Sequence, residues 1–366
     1  MSRRKKLAFS LGVLLVLLAI VEGVCRVAVD RRILGVVEMP REGGWVKADD
    51  RVGFVLVPGD YDGTHVNRIG LRGPEVETEK KPGCRRILML GGSTTYGNTV
   101  KTEDAYPAVV QRSLTAGQPG ACVEVINAGI SGAHSGHQLA RYRHIYSALK
   151  PDVVTLYVAW NDIGLWLWTM DDWKPDSLAA ESLVIDMGDT QMALLRASKA
   201  LHVGYTVTKG AQFRWNLSRV ARSADPAAAL AKPMSAMKQH LAELIDLARA
   251  DGARVVLIKF PFVLDDTRAP QDARELERMP GAERFRSMLP LVSFSPSVPV
   301  IVAGIYDELA RQPGVTTVDC AAAFRKLPLE RRMSMFDDVI HPNAEGYREL
   351  GTCVAGALRT GDAPAP

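Results

Sequence analysis

Short apolar runs alternate along the chain with stretches whose apolar positions recur at helical spacing. The runs lie at residues 85–92 (RRILMLGG), 122–126 (CVEVI), 153–159 (VVTLYVA), 254–259 (RVVLIK) and 315–318 (VTTV). The helical patterns lie between and after them, at 105–114, 138–149, 235–250, 300–311 and 344–358. Apolar strands alternating with amphipathic helices predict a parallel sheet of about five strands with both faces covered. Pro151, Asp251-Gly252 and Pro313-Gly314 supply turn residues at the entries to three of the strands.

Two connections are longer than such a fold needs. Residues 163–232 separate the third strand from the helix before the fourth, and 262–299 follow the fourth. Both carry many Leu, Phe and Met, with Trp in the first. Insertions at the carboxyl ends of parallel strands are where clefts and lids are built, and 163–232 reads as a lid-like insertion. The stretch 49–83 is rich in Gly, Pro and Asp and reads as an extension before the sheet.

The start of the chain has a different pattern. Arg3, Arg4, Lys5 and Lys6 precede residues 7–24, an apolar run of 18 residues interrupted only by Glu22. That length is close to the minimum for a membrane-crossing helix, and the basic flank predicts the N-terminus inside and the rest outside. A long signal peptide is the alternative, but no Ala-x-Ala-like site follows. The expected organisation is therefore a signal anchor at 1–30, an extension at 31–84, an α/β domain at 85–358 and a tail at 359–366. It predicts a single-pass inner-membrane protein whose catalytic body is extracytoplasmic.

Composition narrows the classes. The chain has 366 residues, 47% of them hydrophobic and 23% charged, which is ordinary globular usage. Its 45 Lys+Arg and 41 Asp+Glu give a net charge of +4, which is the excess carried by the four basic residues at the start. The body is balanced, so no phosphate-neutralising face is expected and no nucleic-acid partner. Five cysteines show no zinc spacing. Cys84 and Cys122 precede neighbouring strands and either pair with each other or stay as buried thiols.

Four short blocks carry candidate chemistry. Gly91-Gly92-Ser93-Thr94-Thr95-Tyr96-Gly97 follows the first strand and would place the Ser93 hydroxyl on an exposed tight turn. It is neither a G-x-S-x-G elbow nor a phosphate loop. Asn127-Ala128-Gly129-Ile130-Ser131-Gly132 follows the second strand, and Ala159-Trp160-Asn161-Asp162 the third. Carboxyl ends of neighbouring parallel strands face one crevice, so Ser93, Gly132 and Asn161 should converge. The last block, Phe336 to Asn343, holds Asp337, Asp338 and His341. The three-residue spacing lets Asp338 reach the imidazole and fix its tautomer, and it favours Asp338 over Asp337.

In order and position these blocks resemble the SGNH (GDSL-like) hydrolase superfamily, over about residues 86–350. The resemblance implies a three-layer α/β/α, flavodoxin-like sheet and a serine esterase needing no metal or cofactor. It assigns Ser93 as nucleophile, Asp338 and His341 as the acid–base pair, and Gly132 and Asn161, with the Ser93 N–H, as the oxyanion hole. Gly92 stands where the name-giving motif has aspartate, a variant resembling membrane-anchored bacterial members. A further box, Asn67-Arg68-Ile69-Gly70-Leu71-Arg72-Gly73, resembles one upstream of the serine in those members and has no assigned role.

The expected activity is hydrolysis of an O-acyl ester of an envelope glycan, a lipid or a small molecule. The alternatives are O-acyl transfer by the same residues and a non-catalytic carbohydrate-binding or assembly protein on the same scaffold. Trp160, Trp166 and Trp168 either form an aromatic platform for substrate or pack a lid core. His134 and His137, without a nearby carboxylate, read as part of a solvated loop rather than a metal pair. Residues 190–224 carry six basic and no acidic residues, read as a solvated helical face or a contact for anionic groups.

Overall fold

A computed structural model describes residues 2–28, 45–61, 63–116, 120, 122–170, 173, 174, 176, 178, 189–223, 225–264, 269–286 and 297–360. The strands are β1 (Val46–Asp49), β2 (Gly53–Leu56), β3 (Gly59–Tyr61), β4 (Thr64–Val66), β5 (Arg85–Gly91), β6 (Val123–Gly129), β7 (Val153–Tyr157), β8 (Arg254–Lys259) and β9 (Val315–Asp319). The α-helices up to the first long connection are α1 (Arg3–Ala28), α2 (Ser93–Tyr96), α3 (Tyr106–Thr115) and α4 (Ser135–His144). Within that connection lie α5 (Trp160–Thr169), α6 (Asp189–Ala197) and α7 (Lys199–Ala221), followed by α8 (Pro226–Ala250). The remaining helices are α9 (Ala269–Arg278), α10 (Glu283–Arg286), α11 (Ser297–Leu309), α12 (Ala321–Arg325), α13 (Leu329–Ser334) and α14 (Ala344–Thr360).

The chain divides into two units, residues 1–43 with 182–215 and residues 44–181 with 216–366. The larger unit holds a five-stranded parallel sheet in the order β6-β5-β7-β8-β9. Counted along the chain this is order 2-1-3-4-5, the flavodoxin-like arrangement, whose switch point lies between β5 and β7. The central strands are buried almost throughout: Ile87, Leu88, Met89 and Leu90 of β5 are each 0% exposed. Burying one such side chain stabilises the fold by roughly 1.5–3 kcal/mol. The edge strands are mixed, with Thr316 of β9 exposed beside buried Val315. Helix α3 packs with α14, and α4, α5 and α11 pack with α8. These two groups and the sheet between them make the three layers.

The sequence pattern and the structure differ at several places. Helix α8 begins at Pro226 rather than at 235, because Asp225 caps it through Ala228 N–H at 3.0 Å. Pro233 lies inside the helix; buried Leu230, Met234 and Met237 on either side hold it together by packing. Within the extension, β1 pairs with β2 and β3 with β4, which its Gly, Pro and Asp content does not mark. Cys84 and Cys122 form a disulfide at the entries to β5 and β6. A second disulfide, Cys320–Cys353, ties the end of β9 to α14 and has no local sequence signal. In the smaller unit, α1 is long and apolar enough to cross a membrane.

Candidate active site

Ser93 opens α2 directly after β5, and its Oγ lies 2.7 Å from His341 Nε2. His341 Nδ1 lies 2.6 Å from Asp338 Oδ2. The other Asp338 oxygen accepts the backbone N–H groups of Ile340 and His341, each at 2.8 Å. Burial alone would raise the Asp338 carboxyl, but the hydrogen bond to and charge of His341, with those two N–H donors, outweigh it and hold the group below its ordinary value. Asp337 takes no part: its backbone N–H donates to the His341 carbonyl.

The blocks after β6 and β7 come to the same place. Gly132 has φ +76, a left-handed conformation open to glycine, and a Cβ there would meet nothing within 4 Å. Asn161 Nδ2 donates to the Ala133 carbonyl at 2.8 Å, and it stands beside Gly92. Ala159, two residues earlier, has φ +153, so the backbone is strained where β7 turns into α5 and aims Asn161. Side chains tie the loops together: Asn98 Nδ2 donates to Ser131 Oγ at 2.8 Å, and Thr99 Oγ1 to the Pro342 carbonyl at 3.0 Å. The structure therefore brings Ser93, Gly132, Asn161, Asp338 and His341 to one end of the sheet.

Two supports were not legible in the sequence. Arg72, from the box of unassigned role, is 3% exposed and donates to the carbonyls of Tyr96, Gly97 and Val100 and to Thr102 Oγ1. It thus satisfies the carbonyls at the exit of the turn that presents Ser93. The second is a buried cluster behind the segments that carry Gly132 and Asn161. Asp162 accepts both the N–H and the hydroxyl of Ser135, and Ser135 Oγ lies 2.8 Å from His240 Nδ1. Burial pushes the Asp162 carboxyl up to about 6. This cluster joins the Gly132 loop to the helix that carries Asn161.

His134 and His137 are buried, which corrects the expectation of a solvated loop. His137 Nδ1 accepts the His134 N–H and its Nε2 donates to the Leu178 carbonyl, while burial pushes its pKa well below the ordinary value. Trp160 packs on Phe262 and Phe260 beside the core cluster that includes Val339 and Ile340. Trp166 is 6% exposed, so its ring faces the interior; Trp168 is half-buried. Among the described residues no group of three or more His, Cys, Asp or Glu side chains could hold a metal ion.

This arrangement can carry nucleophilic acyl transfer. A hydroxyl hydrogen-bonded to an imidazole is poised to lose its proton, and a carboxylate on the far nitrogen fixes the tautomer.

The model of a family described as GDSL-like lipase/acylhydrolase matches residues 89–349. No curated protein sequence matches the chain. Solved structures that resemble it include LAE5, an alpha/beta hydrolase enzyme from the metagenome of Lake Arreo, Spain, at 15% identity and TM-score 0.45, covering 76% of this chain and 97% of that one. Axe2, an acetylxylan esterase from Geobacillus stearothermophilus, shows 17% identity and TM-score 0.42, covering 78% and 98%. A putative lipolytic protein of the G-D-S-L family from Desulfitobacterium hafniense DCB-2 shows 13% identity and TM-score 0.40, covering 75% and 99%.

Proposed function

The chain belongs to the GDSL-like lipase/acylhydrolase family and hydrolyses ester bonds, and on that premise we propose that it is a membrane-anchored serine esterase acting outside the cytoplasm on O-acyl groups of an envelope glycan or lipid. The observation that carries the assignment of residues is the unbroken hydrogen-bonded chain from Asp338 through His341 to Ser93.

Ser93 Oγ attacks the acyl carbonyl while His341 Nε2 takes its proton, and Asp338 steadies the imidazolium that forms. The oxyanion of the tetrahedral intermediate accepts hydrogen bonds from the N–H groups of Ser93 and Gly132 and from the Asn161 amide. Collapse breaks the bond to the alkoxide, which takes the proton from His341 and leaves as the alcohol. Water then attacks the acyl-Ser93 ester with His341 again as base. The acid departs and Ser93 regains its proton.

The location is supported by Arg3, Arg4, Lys5 and Lys6 ahead of the apolar run. The two disulfides, which persist in oxidising compartments, agree with it. A reporter that is active only in the cytoplasm, fused after Pro366, should stay dark; a bright reporter refutes the location alone.

The test of mechanism is a fluorophosphonate probe on the full chain. It should label Ser93 and no other residue. Ser93→Ala should lose labelling and hydrolysis of a panel of acyl esters while melting within a degree or two of the wild type, since a turn hydroxyl contributes little to packing. Undiminished hydrolysis by Ser93→Ala refutes the mechanism. Transfer of the acyl group to an added sugar hydroxyl, in preference to water, would replace the hydrolase reading with acyl transfer.

A further inference from the structure

The hydrolytic mechanism uses neither Glu22 nor Arg26, yet both are engaged. Within the unit formed by residues 1–43 and 182–215, they pair with each other at 2.6 Å and together grip the junction of α6 and α7. Ser198 Oγ and the backbone N–H groups of Lys199 and Ala200 donate to the Glu22 carboxylate at 2.8, 2.9 and 2.9 Å. Arg26 donates to the Ala197 carbonyl at 3.0 Å. The carboxylate thus meets the positive end of α7 and the guanidinium the negative end of α6. Each charge satisfies backbone groups that the break between the two helices leaves without helical partners.

The position of Glu22 along α1 sets the depth of this clamp. Residues 7–21 are wholly uncharged, and at ~1.5 Å per residue they span about 22 Å. With Lys6 at one edge of a hydrocarbon layer about 30 Å thick, Glu22 comes within about two helical turns of the other edge. The α6–α7 junction bonded to it therefore lies near the headgroups.

The outward face of α7 fits that setting. Leu201, Thr208 and Trp215 recur at seven-residue intervals, so they share a side of the helix, and Val207 flanks them. Leu201, Val207 and Trp215 are 51%, 60% and 63% exposed, and Leu194 on α6 is 54% exposed. None of the four is charged. Residues 190–224 contain no acid, while α7 and the residue after it carry Lys199, Lys209, Arg214, Arg219 and Arg222. Exposed apolar side chains along a helix whose own charges are all basic match an anionic lipid surface. A solvated helix would interleave both signs of charge along its outer face.

We propose that α6 and α7 lie on the anionic lipid headgroups of the leaflet where α1 emerges, held there by the Glu22–Arg26 clamp, with Leu194, Leu201, Val207 and Trp215 facing the acyl chains. The inference rests on the reading of α1 as an uncleaved anchor. It turns part of the long insertion into a second membrane contact.

The experiment uses the full chain in phosphatidylcholine vesicles with brominated acyl chains, which quench nearby indoles, with and without phosphatidylglycerol. Emission should be quenched, the quenched part should grow with phosphatidylglycerol, and Trp215→Phe should lose it. Glu22→Ala should also lose it while still hydrolysing a soluble ester at the wild-type rate. Equal quenching of wild type and Trp215→Phe, with the protein still floating with vesicles after an alkaline wash, overturns the platform and leaves the anchor standing. Quenching indifferent to phosphatidylglycerol overturns the assignment to anionic headgroups. A chain stripped from the vesicles by the wash overturns the anchor and the platform with it.

Discussion

Gly92 and Asn161 pack so closely that a Cβ at 92 would stand 2.5 Å from Asn161 Nδ2, and any side chain there must push that amide aside. An aspartate at 92 would meet the same obstacle, so in this chain the glycine before Ser93 and the asparagine after β7 form one fitted pair.

That pair gives a test of the oxyanion hole. Asn161→Ala should lower kcat by about 10²–10³ with little change in KM, because the amide acts on charge that develops in the transition state. Gly92→Ala should lower kcat in the same way by displacing that amide, and the double variant should lose little more than Asn161→Ala alone. Steady-state kinetics with a melting curve for each variant decide the matter. A residue serving only the turn would instead lose stability and keep its turnover per folded molecule.

Asp338 predicts a pH dependence. Its carboxyl sits below the ordinary range in the folded chain, so the carboxylate stabilises the fold above about pH 4. That stability is lost as the pH falls below about 4 and through the folded value. Asp338→Asn should flatten the acid limb of the melting-temperature profile and lower kcat by about 10³–10⁴. Asp337→Asn should match the wild type in both. Interchanged behaviour of the two variants would move the orienting role to Asp337.

Asp162 predicts the opposite sign. Its buried carboxyl is pushed up to about 6, so the folded chain holds a proton there more tightly than the unfolded one. Its ionisation weighs against the fold above pH 6, and the wild type gains stability from this group as the pH falls from about 7 towards 4. Asp162→Asn keeps an acceptor for Ser135 but lacks that gain. The melting-temperature difference, wild type minus variant, should grow on acidification; a constant difference would show that Asp162 is already ionised throughout.

Arg72→Ala would leave the carbonyls of Tyr96, Gly97 and Val100 without their buried donor. The expected loss is about 3 kcal/mol of stability or more, with a lower kcat because the turn presenting Ser93 loosens. Denaturant unfolding measures the first and kinetics under folded conditions the second. Arg72→Lys, which cannot reach all its acceptors, should fall between the two.

Cys320→Ser with Cys353→Ser should destabilise the chain by about 2–4 kcal/mol. A reductant should lower the wild-type melting temperature further than it lowers that of the double variant, which retains only Cys84–Cys122. Equal sensitivity would mean that the second bridge does not form.

How much of this could be read beforehand follows from where each signal sits. The inner strands were legible because burial on both faces leaves an unbroken apolar run, as in Ile87 to Leu90. The convergence of Ser93, Asn161 and His341 was legible because each follows a strand, and the carboxyl ends of neighbouring parallel strands face one crevice. Arg72 was not, since nothing in a Gly/Pro-rich stretch marks an arginine for burial, and its acceptors lie 24, 25 and 28 residues away. The bond of His240 to Ser135, across 105 residues, is equally silent in sequence. The start of α8 upstream of 235 was silent too, because Pro233 locally prefers to end a helix and only the packing of Leu230, Met234 and Met237 overrules it.

β7 and β8 are neighbours in the sheet although the long insertion separates them along the chain. Cutting the polypeptide between α5 and α8 would leave two pieces, each with its own covalent staple: Cys84–Cys122 in one and Cys320–Cys353 in the other. The first piece would hold Ser93, Gly132 and Asn161, the second Asp338 and His341, and neither could complete the proton chain. What would join them is the β7–β8 ladder and the packing across the sheet, including α3 on α14. Ester hydrolysis by the mixed fragments would therefore count reassembled molecules, and its concentration dependence would measure how tightly the two halves of the sheet hold each other.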